Sequence, residues 1–278
     1  MNISTLQIKY KSLLLENFIY YLVGFLLIFC LKLFYSRAAS ESLSWILAPT
    51  ALCVSLFTGI PFTAQPGAGY VNHSLRFIIA PSCSGLQFMI VVTALLLFSF
   101  VHRTKRKITW SLFVLCFSFL YTILVNSLRI TLAIYIPLYF PALTHYGVLT
   151  PERLHTLIGT VIYFSALLIA YRAGESICRA NTDKTTPHSA LGLFLPAFWY
   201  FFIVLGLPFL NHAYRKEREQ FTEYTALIVC SCLAVACFPL LRLLLKALGK
   251  QRKADACLPA DSLSHAAPRK AFDTPAYK

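Results

Sequence analysis

Apolar residues fall in seven long blocks, at about 17–35, 43–60, 85–101, 108–128, 154–171, 191–210 and 224–248. Short stretches carrying most of the charge separate them. Each block is close to the roughly 20 residues that a helix needs to cross about 30 Å of hydrocarbon. The pattern predicts an all-α, polytopic transmembrane bundle of about seven to eight spanning helices. It fills one domain over 1–248, and a basic tail, 249–278, follows without fixed structure. After Arg129 the fourth block stays apolar through 130–140 and is interrupted by Pro137 and Pro141. A tilted helix or a segment lying in the interface would account for that excess.

Composition agrees with a lipid solvent. Of 278 residues, 58% are hydrophobic and only 13% charged, with mean hydropathy +0.65, too few polar side chains to coat a water-soluble domain. The formal charge of +14 would suit nucleic acid, but the Lys and Arg residues sit in the gaps between blocks and in the tail. That is how membrane topology is encoded, so lipids are the expected environment and nucleic acid is not an expected partner. No small-residue cleavage site follows the first block before Lys32 and Arg37, which predicts a retained helix rather than a removed signal peptide. His102–Lys107 is the densest basic gap and is expected inside. Alternation then puts 61–84, 141–153 and 211–223 outside, and 36–42, 172–190 and the tail inside. Lys9 and Lys11 fall on the wrong side unless 3–16 is an interfacial helix or the number of spans differs.

Nine cysteines are present. Cys30, Cys53, Cys116, Cys178, Cys230, Cys232 and Cys237 lie in or beside apolar blocks, where a thiol behaves as a small hydrophobe, and Cys257 lies in the tail. None has zinc-ligand spacing with histidine, and Cys230-x-Cys232 is too short for a redox CxxC. With no His-rich cluster, no carboxylate pair in the apolar blocks and no nucleotide motif, no cofactor and no metal are expected.

Cys83 differs. In Pro81-Ser82-Cys83-Ser84-Gly85-Leu86-Gln87 it stands at the outer mouth of the third helix. A helix amino terminus favours the thiolate and offers N–H groups to an oxyanion; a small residue at a helix cap is the plainer reading. Arg129, in Asn126-Ser127-Leu128-Arg129-Ile130, reaches the same surface from the basic gap. An arginine among so many apolar residues marks a functional site, with snorkelling to headgroups as the rival. Asn126, three residues earlier on the same helical face, would hold the guanidinium or serve as an interhelical amide. His155, in Glu152-Arg153-Leu154-His155-Thr156, belongs to the same outer layer and suits proton transfer. Nucleophile, charge stabiliser and proton carrier together make an acyl-transfer set. His73 and Arg76 are weaker outer-loop substitutes, and Tyr146, Glu152 and Arg153 carry no specific signal. His102 and His188 lie on the inner side, out of reach.

These three stretches, the third running Leu154-His155-Thr156-Leu157-Ile158-Gly159, resemble in order and spacing the exosortase/archaeosortase family of membrane transpeptidases, over about residues 43–172. The resemblance implies that Cys83, Arg129 and His155 form the active site of a thiol transpeptidase, with 43–172 as its catalytic core. Such an enzyme lies in a prokaryotic inner membrane with its site on the outer, periplasmic face. Its implied substrates are exported proteins ending in a short motif, an apolar helix and a basic tail, which are cleaved and passed to a surface acceptor. Outside 43–190 no motif matches. A thiol protease that only hydrolyses would use the same residues, and a non-enzymatic transporter or export-apparatus scaffold remains the alternative from another class.

Overall fold

The computed structural model describes residues 3–140, 150–180, 191–212, 215 and 218–256; Tyr146, His188 and Cys257 lie outside the described residues. In chain order the elements are α1 (Ile3–Arg37), a 3-10 turn (Glu41–Leu43), α2 (Ser44–Thr58), β1 (Thr63–Gln65), β2 (Gly69–Asn72), β3 (Phe77–Ile79) and a 3-10 turn (Pro81–Cys83). Then come α3 (Leu86–Phe100), a 3-10 turn (Val101–Arg103), α4 (Lys107–Tyr139), α5 (Pro151–Ala180), α6 (Leu191–Phe201), a π-helical turn (Phe202–Gly206), α7 (Leu207–Leu210) and α8 (Arg218–Ala256). All seven apolar blocks are helical, and the chain is the expected polytopic all-α bundle. Among the described residues six helices are long and apolar enough to cross a bilayer, joined by a shorter apolar stretch at Phe194–Leu210.

The chain divides into two compact units, Met1–Val235 and Ala236–Lys278. The first holds the bundle and the site. In the second, the remainder of α8 runs to Ala256, so 249–256 is helical rather than unstructured. Its Gln, Arg, Lys and Ala residues are all strong helix formers.

Burial separates a hub from a rim. Within Pro81–Arg103, which contains α3, 89% of the apolar window is buried, against 6% in Leu15–Arg37 of α1. A helix that is hydrophobic all round belongs in the middle, and α3 packs against α1, α4, α5 and α6. The rim turns large apolar side chains outward: Leu15 and Phe18 on α1, Leu52 and Leu56 on α2, Leu112 and Leu120 on α4. Hydrocarbon is the solvent that makes such a surface stable.

One turn of the expected topology is different. Tyr21 of α1 hydrogen-bonds His102 beyond the far end of α3 (3.3 Å), and Lys107 lies 5.6 Å over the Tyr20 ring. At the other end Tyr35 and Cys83 pack against the same apolar cluster of Leu43, Ile46 and Leu86. So α1 runs from the basic gap to the Cys83 end, and Arg37–Ser40 emerges there, not on the opposite side. Neighbours along α2 step in the same direction along α4: Trp45 stacks on Phe119, Ser127 Oγ donates to the Thr50 carbonyl, and Tyr135 donates to that of Thr58. α2 is therefore parallel to α4 and does not carry the chain back. With α2 removed from the alternation, the α1 turns bearing Lys9 and Lys11 extend from the same end as His102–Lys107. The charge conflict disappears, and it is the span count that resolves it.

The segment 61–84 is not a plain loop. β1, β2 and β3 form an antiparallel sheet in that order, pairing Thr63 with Val71 and Val71 with Ile78. Gly69 (φ +111°) is required, because a Cβ there would lie 2.4 Å from the Ile79 carbonyl oxygen. The first hairpin is tied down by Gly67 N donating to Glu41 Oε1 (2.7 Å), the second by Leu75 N donating to Asn72 Oδ1 (2.8 Å). α4 runs unbroken through Pro137 to Tyr139, about 50 Å at 1.5 Å per residue, longer than hydrocarbon requires. In the α6–α7 rod, Pro208 has no N–H for the Val204 carbonyl, and the helix widens there into its π turn.

Close packing on the hub predicts a specific weakness. A Cβ at Gly174 of α5 would fall 2.8 Å from Phe100 and 3.1 Å from Leu96, both buried on α3. Gly174→Val is expected to lower stability by about 1–3 kcal/mol, read as an earlier unfolding midpoint of the detergent-solubilised protein.

Candidate active site

α4 supplies two polar residues one turn apart. Asn126 is fully buried and Arg129 is 8% exposed. The guanidinium does not snorkel outward; it lies across α5. Its Nη1 donates to the Tyr163 hydroxyl (3.2 Å), its Nη2 meets His155 Nε2 (2.5 Å), and its Cζ stands 5.1 Å from the Tyr163 ring centre. Nε is buried with no hydrogen-bond partner. Among the described residues the ion pairs are Arg153–Glu223, Arg172–Glu175 and Arg179–Glu175, so no carboxylate neutralises Arg129.

α5 is built to receive it. Its amino terminus is capped by Thr150, whose hydroxyl accepts from Arg153 N (3.3 Å), with Pro151 at the first helical position. His155, Gly159 and Tyr163 follow at four-residue spacing and form one stripe. A Cβ at Gly159 would sit 2.9 Å from Arg129 Nε, so only glycine lets the guanidinium lie between the two polar neighbours. A guanidinium has donors only; Nε2 of His155 is therefore the acceptor and carries no proton in this arrangement. Tyr163 is stacked on Phe88 of α3, centroids 4.6 Å apart and planes at 11°.

Cys83 closes the 3-10 turn before α3. Ser84 follows, then Gly85 with φ +74°, where a Cβ would fall 2.9 Å from Asn126 Cγ. Asn126 fits against that glycine: its Nδ2 donates to the Cys83 carbonyl (2.7 Å), and its Oδ1 accepts from Tyr163 (2.6 Å). It is thus an interhelical amide and does not touch the guanidinium. The thiol is half-buried, packed against the apolar cluster of Leu43, Ile46 and Leu86. It is close enough to Arg129 and Tyr163 to interact electrostatically, and among the described residues it takes no hydrogen bond.

A cavity of about 170 Å³ gathers Arg129, His155 and Tyr163; Ser82 and Gly85 on either side of Cys83 line it, whereas the Cys83 and Asn126 side chains do not. Arg129, His155, Tyr163 and Gly159 line one wall, and Ser82, Gly85, Gln87 and Phe88 another. Leu86 N at the start of α3 donates to Ser84 Oγ (3.4 Å), and the positive, amino-terminal end of this helix borders the same space through Gly85, Gln87 and Phe88. Tyr35, Tyr200, Val204 and Tyr224 complete the lining. His155 and Thr156 also border a second, largely apolar recess of about 610 Å³, bounded by Phe77, Ala133 and Pro137.

The sequence-derived trio is therefore gathered at one end of the bundle: Arg129 and His155 touch, and Cys83 joins them through its carbonyl, Asn126 and Tyr163. His73 and Arg76 are exposed in the β2–β3 turn, with Arg76 at φ +51°, and neither lines the cavity. Arg153 holds Glu223 of α8. His102 sits beyond the far end of α3, about 22 Å of helix away. Tyr163, Tyr35, Tyr200 and Tyr224 were not anticipated. The four-residue stripe from His155 through Gly159 was the available signal for Tyr163; nothing local marks the other three.

The Gly159 contact makes a sharp prediction. Gly159→Ala is expected to destabilise the protein by about 1–3 kcal/mol by displacing the guanidinium. In an Arg129→Ala background the same change costs far less, a non-additivity visible in detergent unfolding midpoints of the four proteins.

No curated protein and no solved structure matches the chain. The profile of the family described as Transmembrane exosortase (Exosortase_EpsH) does match, over residues 10–172. That stretch contains Cys83, Asn126, Arg129, His155 and Tyr163 and covers more than half of the chain, which accordingly belongs to the transmembrane exosortase family.

Proposed function

We propose that this protein is a cysteine transpeptidase that cleaves a carboxy-terminal sorting signal from exported proteins through a Cys83 thioester and transfers them to a surface acceptor. It would do so at the outer, periplasmic face of a prokaryotic inner membrane. The observation that carries the reading is Arg129: a buried guanidinium with no carboxylate partner among the described residues, bonded to His155, at the mouth of the helix that follows Cys83. Such a site holds positive charge ready for an anion formed during reaction.

In this mechanism His155 Nε2 takes the Cys83 proton, which frees the guanidinium from its imidazole bond. The thiolate attacks the scissile peptide carbonyl, and the oxyanion is met by Arg129 and the first-turn N–H groups of α3. An imidazolium beside a guanidinium is a pair of like charges, which drives the proton on to the leaving amine as the C–N bond breaks. The acyl group stays on sulfur as a thioester. An acceptor nucleophile, deprotonated by His155, then forms the new bond and expels the thiolate. The apolar recess bordering His155 supports lateral approach of a substrate's membrane segment, whose burial would supply positioning. Water as acceptor gives the hydrolysis-only alternative; finding the released protein attached to a new group distinguishes transfer.

Cys83→Ala and Cys83→Ser are both expected to abolish processing of an exported protein bearing such a signal, while membrane insertion is retained. Undiminished processing by Cys83→Ala, scored as precursor-to-product conversion on immunoblots, would refute the assignment and favour a transporter or scaffold. For the orientation, a cysteine placed at Ser74 is expected to react with an impermeant maleimide in intact cells, and one at Lys105 only after permeabilisation.

A further inference from the structure

We propose that Tyr163 is a positioning residue that sets the Cys83 turn and the Arg129 guanidinium in one register. The inference rests on the transpeptidase reading above and adds to it a group that takes no part in bond making. Four contacts converge on this side chain. Its ring lies flat on Phe88 of α3 and beneath the guanidinium of α4, and its hydroxyl accepts from Arg129 Nη1 and donates to Asn126 Oδ1. Asn126 completes the connection by donating from Nδ2 to the Cys83 carbonyl.

The polarity of this relay is fixed. A guanidinium only donates and an amide oxygen only accepts, so the single hydroxyl proton of Tyr163 must point to Asn126 and its lone pair to Arg129. Reversing Asn126 would set its oxygen against the Cys83 carbonyl, two acceptors face to face. The relay therefore holds only when the Cys83 turn, Asn126 and Arg129 occupy one mutual arrangement. A packing role alone would need the ring but not the hydroxyl. Both of its hydrogen-bonding capacities are used, inside the bundle, on the two neighbours that matter for the proposed reaction.

Tyr163→Phe separates ring from hydroxyl, keeping the stack on Phe88. The test is the ratio of the rates at which Cys83 in the full-length protein, in native membranes, reacts with an anionic and with a neutral methanethiosulfonate of similar size at neutral pH, a ratio from which the reactivity of the thiol itself cancels. The modified peptide is quantified by mass spectrometry. Loosening Arg129 from the Cys83 turn is expected to lower the preference for the anionic reagent by about threefold or more. Asn126→Ala interrupts the same relay and should lower the ratio similarly, and the double variant should add less than twofold to either single one. An unchanged ratio in Tyr163→Phe, or effects of the two changes that multiply, overturns the proposal. If Tyr163→Phe does not accumulate in membranes, Asn126→Ala alone is read in the same way, and an unchanged ratio again overturns it. Because the readout is thiol labelling, it is independent of processing: survival of processing in Cys83→Ala would defeat the transpeptidase reading whatever this ratio shows.

Discussion

A cation held out of water without an anion is among the least comfortable arrangements in a protein, and among the described residues the site is organised around one. Arg129 is 8% exposed, and removing an ionised group from water costs several kcal/mol even after the surroundings relax. Partial relief comes from the face of the Tyr163 ring, the Tyr163 oxygen and the His155 nitrogen. None of these carries a full negative charge. The amino-terminal end of α3, itself positive, opens on the same cavity. Two positive sources face one small space.

The surrounding backbone keeps that arrangement from relaxing. Glycines stand where α5 and the Cys83 turn come closest to Arg129 and Asn126, so the helices approach to distances that any side chain would prevent. α3, buried almost all round, fixes the depth of the cavity, and the small sheet ahead of it delivers the Cys83 turn from a braced strand rather than from a free loop. The bracing is local: Glu41 and Asn72 each satisfy a backbone N–H of a hairpin. Without those bonds a three-stranded sheet with strands of three or four residues would be marginal.

Much of this was legible in the order of residues. The seven apolar blocks gave the helices, since length against hydrocarbon thickness is a strong constraint. That Cys83, Arg129 and His155 lie at one end of the bundle was legible because polar and thiol side chains at the borders of apolar blocks stand out against their neighbours. The path of α2 was not, because its 15 residues have the composition of a span while its ends are fixed by contacts distant in the chain. The unplaceable Lys9 and Lys11 were the trace of that error. The strands were hidden by brevity: three- and four-residue segments give no usable period. Tyr163 carries no mark of its own in the sequence, because tyrosine is ordinary in a membrane bundle and only its partners distinguish it.

The cavity is assembled from two parts of the chain with different affiliations. The groups proposed to react, and the relay between them, come from 10–172, the stretch shared with the family. Further lining is contributed by Tyr200, Val204 and Tyr224, beyond that stretch. The volume beside Arg129 is thereby set in part by residues outside the family's shared stretch, so chains that share 10–172 can still differ in the shape of this space.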